Sequence, residues 1–345
     1  MRICLFVLGI STAAAAQVMP LVSPWRVPPI TETRAPYSCP APAHLPVNFT
    51  TDGFYADNDP THSVIDPVKE KAYELSSGPV KHEGDVVVTA ADEFRRTGSR
   101  DAAQCVLEHL EVQAREGALT GKLSSSQAYF VQGWVAGAEA IAYLKVEGDL
   151  HATPAQRTLI QSWLETEARL TRAFYEDRMR GDGSDAQNHF YWAAVQLAAT
   201  GIVTNNRSDF DWAILRAKHG IEAVQIDGTL NDEMRRGRRA LHYHLYAASP
   251  LVTLAEFGLP NGIDLYTASD GRLKKLVAVS IRGLIDSSFF EQRTGIPQER
   301  TDPPTAEAIG WAEPYSRRFP DPVLTKLLSE CPNHSYMYLG GLPIR

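Results

Sequence analysis

Residues 187–194 read Q-N-H-F-Y-W-A-A and open the long apolar run around which we take the chain to be organised. They follow a loop, G-D-G-S-D at 181–185, so the pattern predicts a helix that begins at Asn188. The first backbone N–H groups of a helix lack partners within it, so Asn188 and His189 would lie where an anion is favoured. The alternative is a helix cap with a packed histidine, and only a second polar cluster could decide between the two.

From Pro67 onward the pattern is helical almost to the end of the chain. Runs rich in Ala, Leu and Glu are separated by Gly or Pro, and the alternation typical of strands is scarce. Short loops between successive helices predict an all-α fold of αα-hairpins arranged as a ring. The predicted helices cover residues 68–75, 82–96, 101–115, 125–146, 154–177, 188–203, 209–224, 232–257, 273–285, 305–315 and 322–329.

The N-terminal residues have the pattern of a secretory signal peptide. Arg2 precedes an apolar stretch and small residues lead up to Gln17, so we expect cleavage after Ala16. Prolines then recur too often for a helix or a central strand. We expect a signal peptide at 1–16, a proline-rich arm with a lid loop at 17–60, and a helical domain at 61–345. A signal peptide directs export, so we expect a periplasmic or secreted protein.

Composition limits the partners and the cofactors. The formal net charge is −7, which argues against nucleic acid as a partner. No stretch after the signal has the roughly 18 continuous apolar residues that span a membrane. Cys39, Cys105 and Cys331 remain after cleavage, and we pair Cys39 with Cys105 because that bond would fasten the arm to an early helix. We expect a monomer without a metal site or a cofactor.

Residues 231–246 form the second polar cluster and read N-D-E-M-R-R-G-R-R-A-L-H-Y-H-L-Y. On a continuous helix, Arg236 and Tyr243 would lie two turns apart on one face. Arginine is a permanent cation that binds carboxylates, and a tyrosine hydroxyl can accept or donate a proton once its pKa is tuned. The alternative is a solvated basic helix face, which suits the neighbouring arginines better than Arg236.

These side chains suit proton abstraction beside a carboxylate better than glycoside hydrolysis, which generally needs two positioned acids. In a polyuronate, removal of the C5 hydrogen places enolate charge on the adjoining carboxylate. Asn188 and Arg236 can bond that carboxylate, with a protonated His189 as a third partner. Tyr243 can take the proton and return one to the O4 leaving group if both lie on one face of the ring. His189 is the rival base if they lie on opposite faces.

Several motifs occur together along the chain: Q-N-H-F-Y-W-A-A, T-N-N-R-S-D-F-D-W-A, the run at 231–246, P-N-G-I-D-L and W-A-E-P-Y. In their order and spacing the sequence resembles the family 5 polysaccharide lyases, the periplasmic alginate or polymannuronate lyases. The resemblance implies an incomplete α/α toroid with a deep cleft, and metal-independent β-elimination of an anionic polysaccharide. It places the family's catalytic residues at Asn188, His189, Arg236 and Tyr243.

The resemblance also implies contacts that bind substrate. It places a lid-loop tyrosine at Tyr55, for which a surface tyrosine in a turn is the alternative. Trp134 and Trp192 are expected to contact sugar rings, although Trp134 could instead be packed in the core. Arg239 would add positive charge to the cleft. The family's disulfide near the N-terminus is compatible with the expected cysteine pairing.

The sequence departs from the family pattern in two places. N-N-H-S-Y-W is here Q-N-H-F-Y-W, and basic residues expected around 125–134 are replaced by S-S-S-Q-A-Y-F-V-Q-G. A less basic cleft would favour another polyuronate, such as polyglucuronate or a glycosaminoglycan-like chain, or would bind alginate less tightly. A non-catalytic polysaccharide-binding or export protein is the alternative from a different functional class.

Overall fold

The structure is a computed structural model that describes residues 19–25, 35–147, 152–182, 187–331 and 333–343. The expected signal peptide at 1–16 and part of the proline-rich arm lie outside these ranges. Within them the regular elements are helices, and β pairing is limited to isolated bridges such as Phe49 with Leu123. The prediction of an all-α fold is confirmed.

The α-helices follow one another along the described part of the chain, and most connections between them are short. They are α1 (Pro67–Thr97), α2 (Arg100–Glu116), α3 (Ser126–Val146), α4 (Pro154–Asp182), α5 (Asn188–Thr204), α6 (Arg207–Ala223), α7 (Asn231–Met234), α8 (Ala240–Gly258), α9 (Ala268–Ile285), α10 (Ser288–Thr294), α11 (Ala306–Ile309), α12 (Ala312–Arg318) and α13 (Pro322–Glu330). Short 3-10 turns lie at Gly237–Arg239, Leu259–Asn261 and Met337–Leu339.

The long helices form two layers, as expected for αα-hairpins arranged in a ring. Helices α1, α3, α5 and α8 pack side by side as an inner row, and α2, α4, α6 and α9 pack on them from outside. In α5, residues 190–203 are all buried, so the apolar run lies at the centre of the protein. Helix α3 approaches α5 closely at Gly137, where an added Cβ would lie 3.2 Å from the Cα atom of Gln196. The arrangement is an α/α toroid.

Helix α1 joins two segments that the sequence predicted as separate helices, with Pro79 inside it. Asp66 caps its start by accepting from the backbone N–H groups of Val68 and Lys69, and Pro67 occupies its first turn. Pro79 has no N–H to offer the carbonyl of Leu75. Leu75 is 72% exposed, so water can bond that carbonyl and the helix continues.

The helix predicted over 232–257 is wrong in one respect, because it is broken between α7 and α8. Gly237, three residues after the end of α7, adopts a left-handed conformation with φ of 55°, which turns the chain before α8. The amide of Gln298 holds this turn: its Nε2 donates to the Gly237 carbonyl at 3.0 Å, and its Oε1 accepts from the Leu241 N–H at 3.0 Å.

The described segments before α1 and after α13 are both fastened to the helices. Cys39 and Cys105 form a disulfide with a Cα–Cα distance of 5.5 Å, which ties the arm to α2 and confirms the predicted pairing. Cys331 is a buried free thiol. No helix in the described ranges combines the length and the hydropathy of a membrane-spanning segment.

The described residues 333–343 form a segment that we call the C-terminal strap. Buried Lys145 of α3 donates to Asp92 of α1 at 2.5 Å and also to the carbonyl of Gly340 in the strap. Asp92 in turn accepts from Ser335 Oγ at 2.9 Å and from the Leu342 N–H at 2.8 Å. The strap is therefore held across α1 and α3 by a buried ion pair.

Candidate active site

A cleft of about 1220 Å³ lies among the four inner helices, between the lid loop and the C-terminal strap. Six of the eight predicted site residues line it, and Asn188 and Trp192 do not. The predicted residues in its wall are Tyr55, Trp134, His189, Arg236, Arg239 and Tyr243.

Tyr243 lies at the centre of the polar groups in this cleft. Its hydroxyl is 2.5 Å from the hydroxyl of Tyr55, which also accepts from Arg239 Nη1 at 2.7 Å. The guanidinium carbon of Arg236 lies 3.7 Å from the centre of the Tyr243 ring. Arg236 and Tyr243 therefore meet as predicted, although the turn at Gly237 brings them together instead of a continuous helix face.

The hydrogen bonds among Arg239, Tyr55 and Tyr243 acquire a fixed direction when Tyr243 ionises. A guanidinium only donates, and a phenolate only accepts. Arg239 must then donate to Tyr55, and Tyr55 must donate to Tyr243. This chain of donors can stabilise negative charge on the Tyr243 oxygen.

Burial raises the pKa of Tyr243 above its ordinary value. Arg236 and Arg239 oppose this shift, because a cation favours the phenolate. These two cations therefore promote ionisation of Tyr243, but the effect of burial is larger. In this closed cleft Tyr243 is a neutral phenol at neutral pH.

His189 stacks on Phe130, with ring centres 3.8 Å apart and planes inclined by 12°. Burial, together with the charges of Arg236 and Arg178, lowers the pKa of His189 to about 3. The sequence-based expectation of a protonated His189 is therefore wrong for the cleft as it stands. A neutral imidazole is a proton acceptor, and its Nδ1 has no hydrogen-bond partner among the described residues.

Asn188 lies behind the cleft wall and is 5% exposed. Its Nδ2 donates to Glu233 Oε1 at 2.9 Å, and its backbone N–H also donates to that carboxylate. The prediction that Asn188 touches a substrate carboxylate directly is not met in this arrangement. The anion at the start of α5 is Glu233, a residue that sequence reasoning overlooked even though it stands three positions before Arg236.

The loop that carries Tyr55 is folded over the cleft. The carboxylate of Asp59 accepts from the backbone N–H groups of Thr61, Ser63 and Val64, at 2.9, 2.6 and 2.7 Å. The Thr61 hydroxyl also donates to this carboxylate at 2.5 Å, and together with the backbone bonds it holds the pKa of Asp59 below its usual range. Tyr55 therefore faces Tyr243 on a preformed loop and is not a surface tyrosine in a turn.

The two tryptophans differ in position. Trp134 lines the cleft and stacks on Tyr338 of the strap at 5.1 Å. Trp192 is 2% exposed and packs beneath Tyr246, with ring centres 4.9 Å apart. The expectation that Trp192 contacts substrate is therefore wrong, because Tyr246 stands between its ring and the cleft. Tyr246 and Tyr338 were not identified from the sequence.

Charge is distributed unevenly around the cleft. Cationic side chains in its wall include Lys69, Lys81 and Arg178, in addition to Arg236 and Arg239. The wall at 125–127 is built from two serines and a glutamine, so the expected loss of basic residues there is a feature of the cleft itself.

One group of potential metal ligands is found within the described ranges: Cys39, Cys105 and His109. The two cysteines are joined in the disulfide, so their sulfur atoms are not free thiolates. The group also lies outside the cleft wall.

Comparisons with known proteins identify the family. The family model described as alginate lyase matches residues 54–290. A polysaccharide lyase of Stenotrophomonas maltophilia strain K279a is 34% identical over 287 residues, which cover 82% of this chain and 83% of that protein. An alginate lyase of Cobetia marina is 30% identical over 285 residues, covering 80% and 74%.

Solved structures share the fold. Alginate lyase A1-III from Sphingomonas species A1 superposes with a TM-score of 0.76 at 22% identity, covering 93% of this chain and 89% of that one. A histidine-to-alanine variant of alginate lyase A1-III, complexed with a tetrasaccharide, gives a TM-score of 0.77 at 22% identity, covering 92% and 86%. The α/α toroid and the resemblance drawn from the motifs are both confirmed. The chain belongs to the alginate lyase family and is a polysaccharide lyase.

Proposed function

We propose that the protein cleaves (1→4)-linked polyuronate, namely alginate and its polymannuronate stretches, by β-elimination that leaves an unsaturated uronate end. The observation that carries this proposal is the Tyr243 hydroxyl, 2.5 Å from Tyr55 and beside the cation of Arg236. This cluster supplies a proton-transfer group and a positive charge at one place in the cleft. Family membership and the relatives described as alginate lyases support the choice of substrate.

The arginines would neutralise the charge that develops on the substrate carboxylate. Arg236 Nε has no hydrogen-bond partner in the described part of the chain, so the guanidinium retains a donor for a ligand. Arg239 Nε also has no hydrogen bond there, but this guanidinium already donates to Tyr55 and to His242 Nε2, the latter at 3.3 Å, and its Nε lies 3.5 Å from Glu299 Oε2. Burial and the two arginines lower the pKa of His242 to about 3, so this imidazole stays neutral and can accept. Arg236 is therefore the main carboxylate partner, and Arg239 mainly supports Tyr55.

Two assignments of the base remain open, and they require different states of Tyr243. In the first, Tyr243 loses its phenol proton to water before substrate fills the cleft, and the phenolate then removes the C5 proton and delivers it to O4 as the C4–O4 bond breaks. The chain from Arg239 through Tyr55 would stabilise that phenolate. In the second, neutral His189 removes the C5 proton and the Tyr243 phenol protonates O4. The first suits a proton and a leaving group on one ring face, and the second suits opposite faces.

A different polyuronate is the second candidate substrate, because the wall at 125–127 is uncharged. A polyglucuronate or glycosaminoglycan-like chain would need fewer cationic side chains in that wall if its carboxylates are spaced differently along the polymer. The Stenotrophomonas relative is described as a polysaccharide lyase without a stated polymer.

We also propose export to the periplasm, which would suit the Cys39–Cys105 disulfide because such bonds persist in oxidising compartments.

The test is an activity assay on a panel of defined polymers. Purified protein is incubated with polymannuronate, polyguluronate, polyglucuronate and hyaluronan, and the ultraviolet absorbance of the conjugated unsaturated uronate is followed. We expect the fastest rise with polymannuronate. Binding without any rise in absorbance would instead identify a non-catalytic polysaccharide-binding protein.

A further inference from the structure

We propose that Glu233 is a positioning residue of this reaction, whose carboxylate joins the start of α5 to the turn that carries Arg236. It would thereby set the places of Asn188 and His189 relative to Arg236. The inference rests on the proposed function for its kinetic consequences, but the positioning itself can be measured without substrate.

The geometry gives Glu233 two connections. Its side chain is 2% exposed and accepts from both the Nδ2 and the backbone N–H of Asn188. Its main-chain carbonyl accepts from the Arg236 N–H at 3.1 Å, within the turn that follows α7. One residue therefore bonds to α5 through its side chain and to the Arg236 turn through its backbone.

Helix α5 needs this external carboxylate. Gln187 occupies the cap position, and its side chain makes no capping bond within the described structure. The first N–H groups of a helix need acceptors, and an anion there also interacts favourably with the helix dipole. Glu233 supplies both at the start of the helix whose second residue, His189, lines the cleft.

The groups around Glu233 have opposing effects on the pKa of its carboxyl group. Burial is the largest cause and raises its pKa, the bonds from Asn188 and the charge of Arg236 lower it, Asp232 on the same helix raises it, and the net pKa is about 7. On α8, the buried His244 has a pKa lowered to about 4, so it is neutral and accepts from the Leu230 N–H at 2.9 Å. On α10, Arg293 is engaged by Asp227 at 2.9 Å.

Proton uptake by Glu233 would change its bonds to Asn188. The carboxylate can accept from both N–H groups, whereas the acid has a hydrogen to donate and needs an acceptor. Asn188 Oδ1 is buried and has no partner in the described structure. It can therefore accept the hydrogen of the protonated Glu233 once the Asn188 side-chain amide has flipped. Protonation would therefore reorient the Asn188 amide and disturb the adjoining His189. A misplaced catalytic group lowers turnover more than binding.

The experiment compares Glu233→Gln, Glu233→Asp and the wild type, with Glu256→Gln as a matched control. Glu256 is also a buried carboxylate with two partners, since it accepts from the Tyr266 hydroxyl at 2.7 Å and from Arg318 at 3.2 Å, but it lies outside the cleft wall. For the wild type we expect kcat on the cleaved polymer to fall as pH drops through about 7, with little change in KM.

Glu233→Gln should lower kcat at neutral pH by about 10- to 100-fold and remove this acid limb. Glu233→Asp should retain the limb, because it keeps the charge. Glu256→Gln should lose stability and keep the wild-type pH profile. Wild-type kcat with an unchanged acid limb in Glu233→Gln would overturn the inference.

A second readout works without substrate. With ¹⁵N-labelled asparagine, the Asn188 side-chain amide resonances, assigned by their loss in Asn188→Ala, should titrate near pH 7 in the wild type and not in Glu233→Gln. Should no polymer in the panel be cleaved, a titrating Asn188 amide would still support positioning while the proposed function failed. An amide that does not titrate in the folded wild type would refute the inference whatever the activity, so the inference can be decided on the wild type even if Glu233→Gln fails to fold.

Discussion

The substitution Tyr243→Phe removes only the hydroxyl group of this residue. It should therefore change catalysis much more than it changes folding. The hydroxyl has one hydrogen bond in the described structure, at 2.5 Å to Tyr55, so its loss should cost about 1 kcal/mol of stability. The ring keeps its place under the Arg236 guanidinium at 3.7 Å, and that cation–π contact is retained. The variant should therefore fold and bind polymer.

The expected loss of rate is much larger than the loss of stability. A general acid or base contributes typically about 10²–10⁴-fold. That factor corresponds to roughly 3–5 kcal/mol of activation free energy, and a residue with both roles would lie at the upper end. Initial rates on polymannuronate and polyguluronate, together with a thermal melt and a binding measurement, would give kcat, KM and stability for the same preparation.

Two comparisons make the result decisive. Tyr266→Phe deletes another buried hydroxyl, 2.7 Å from Glu256 and outside the cleft wall, so it should lose stability without losing kcat. His189→Ala should be the more damaging change on the polymer in which the proton and the leaving group lie on opposite faces. Near-normal turnover by Tyr243→Phe on both polymers, with binding retained, would refute the role given to Tyr243.

The cleft and the core support three further predictions. Tyr55→Phe breaks the donor chain from Arg239 and should lower kcat about 10-fold or more, with Tyr55→Ala also raising KM; unaltered kinetics in both would remove Tyr55 from the site. Exhaustive chelation should leave turnover intact, because organic donors are assigned to charge neutralisation, and activity restored only by a divalent ion would contradict this. Burial raises the pKa of Glu139 to about 8, so the folded protein holds a proton that the unfolded chain releases near pH 4.5, and this contribution to stability declines as pH rises toward 8. Glu139→Gln should therefore gain stability relative to the wild type between pH 5 and about 8, by roughly 1 kcal/mol or more, in denaturant melts at the two pH values.

The sequence was informative wherever structure depends on local pattern. The apolar run after His189 predicted the central helix, and the helical pattern from Pro67 onward predicted the start of α1. The pairing of Arg236 with Tyr243 was also predicted, but for a wrong reason. Their spacing suggested a continuous helix, whereas Gly237 and a distant glutamine amide produce a turn that brings them together.

The wrong or missing predictions concern how deeply a side chain is buried and which residues far away in the chain it contacts. The periodicity of a sequence encodes neither. Trp192 lies one turn further along α5 than His189, on nearly the same face, but Tyr246 from α8 covers it. Glu233 was overlooked because its partner, Asn188, is 45 residues away in the chain. The charge states of His189 and Tyr243 depend on burial by other helices, so the expectation of a protonated histidine had no local signal to correct it.

The C-terminal strap has a consequence for the order in which the protein is completed. A chain that emerges N-terminus first presents all four inner helices before it presents Tyr338, whose ring stacks on Trp134 in the cleft. Until the strap arrives, Lys145 and Asp92 lack the partners that Gly340 and Ser335 supply. A nascent chain can thus close its hydrophobic core while its polymer-binding surface is unfinished. The wall of the cleft is therefore complete only once Tyr338 of the strap is in place.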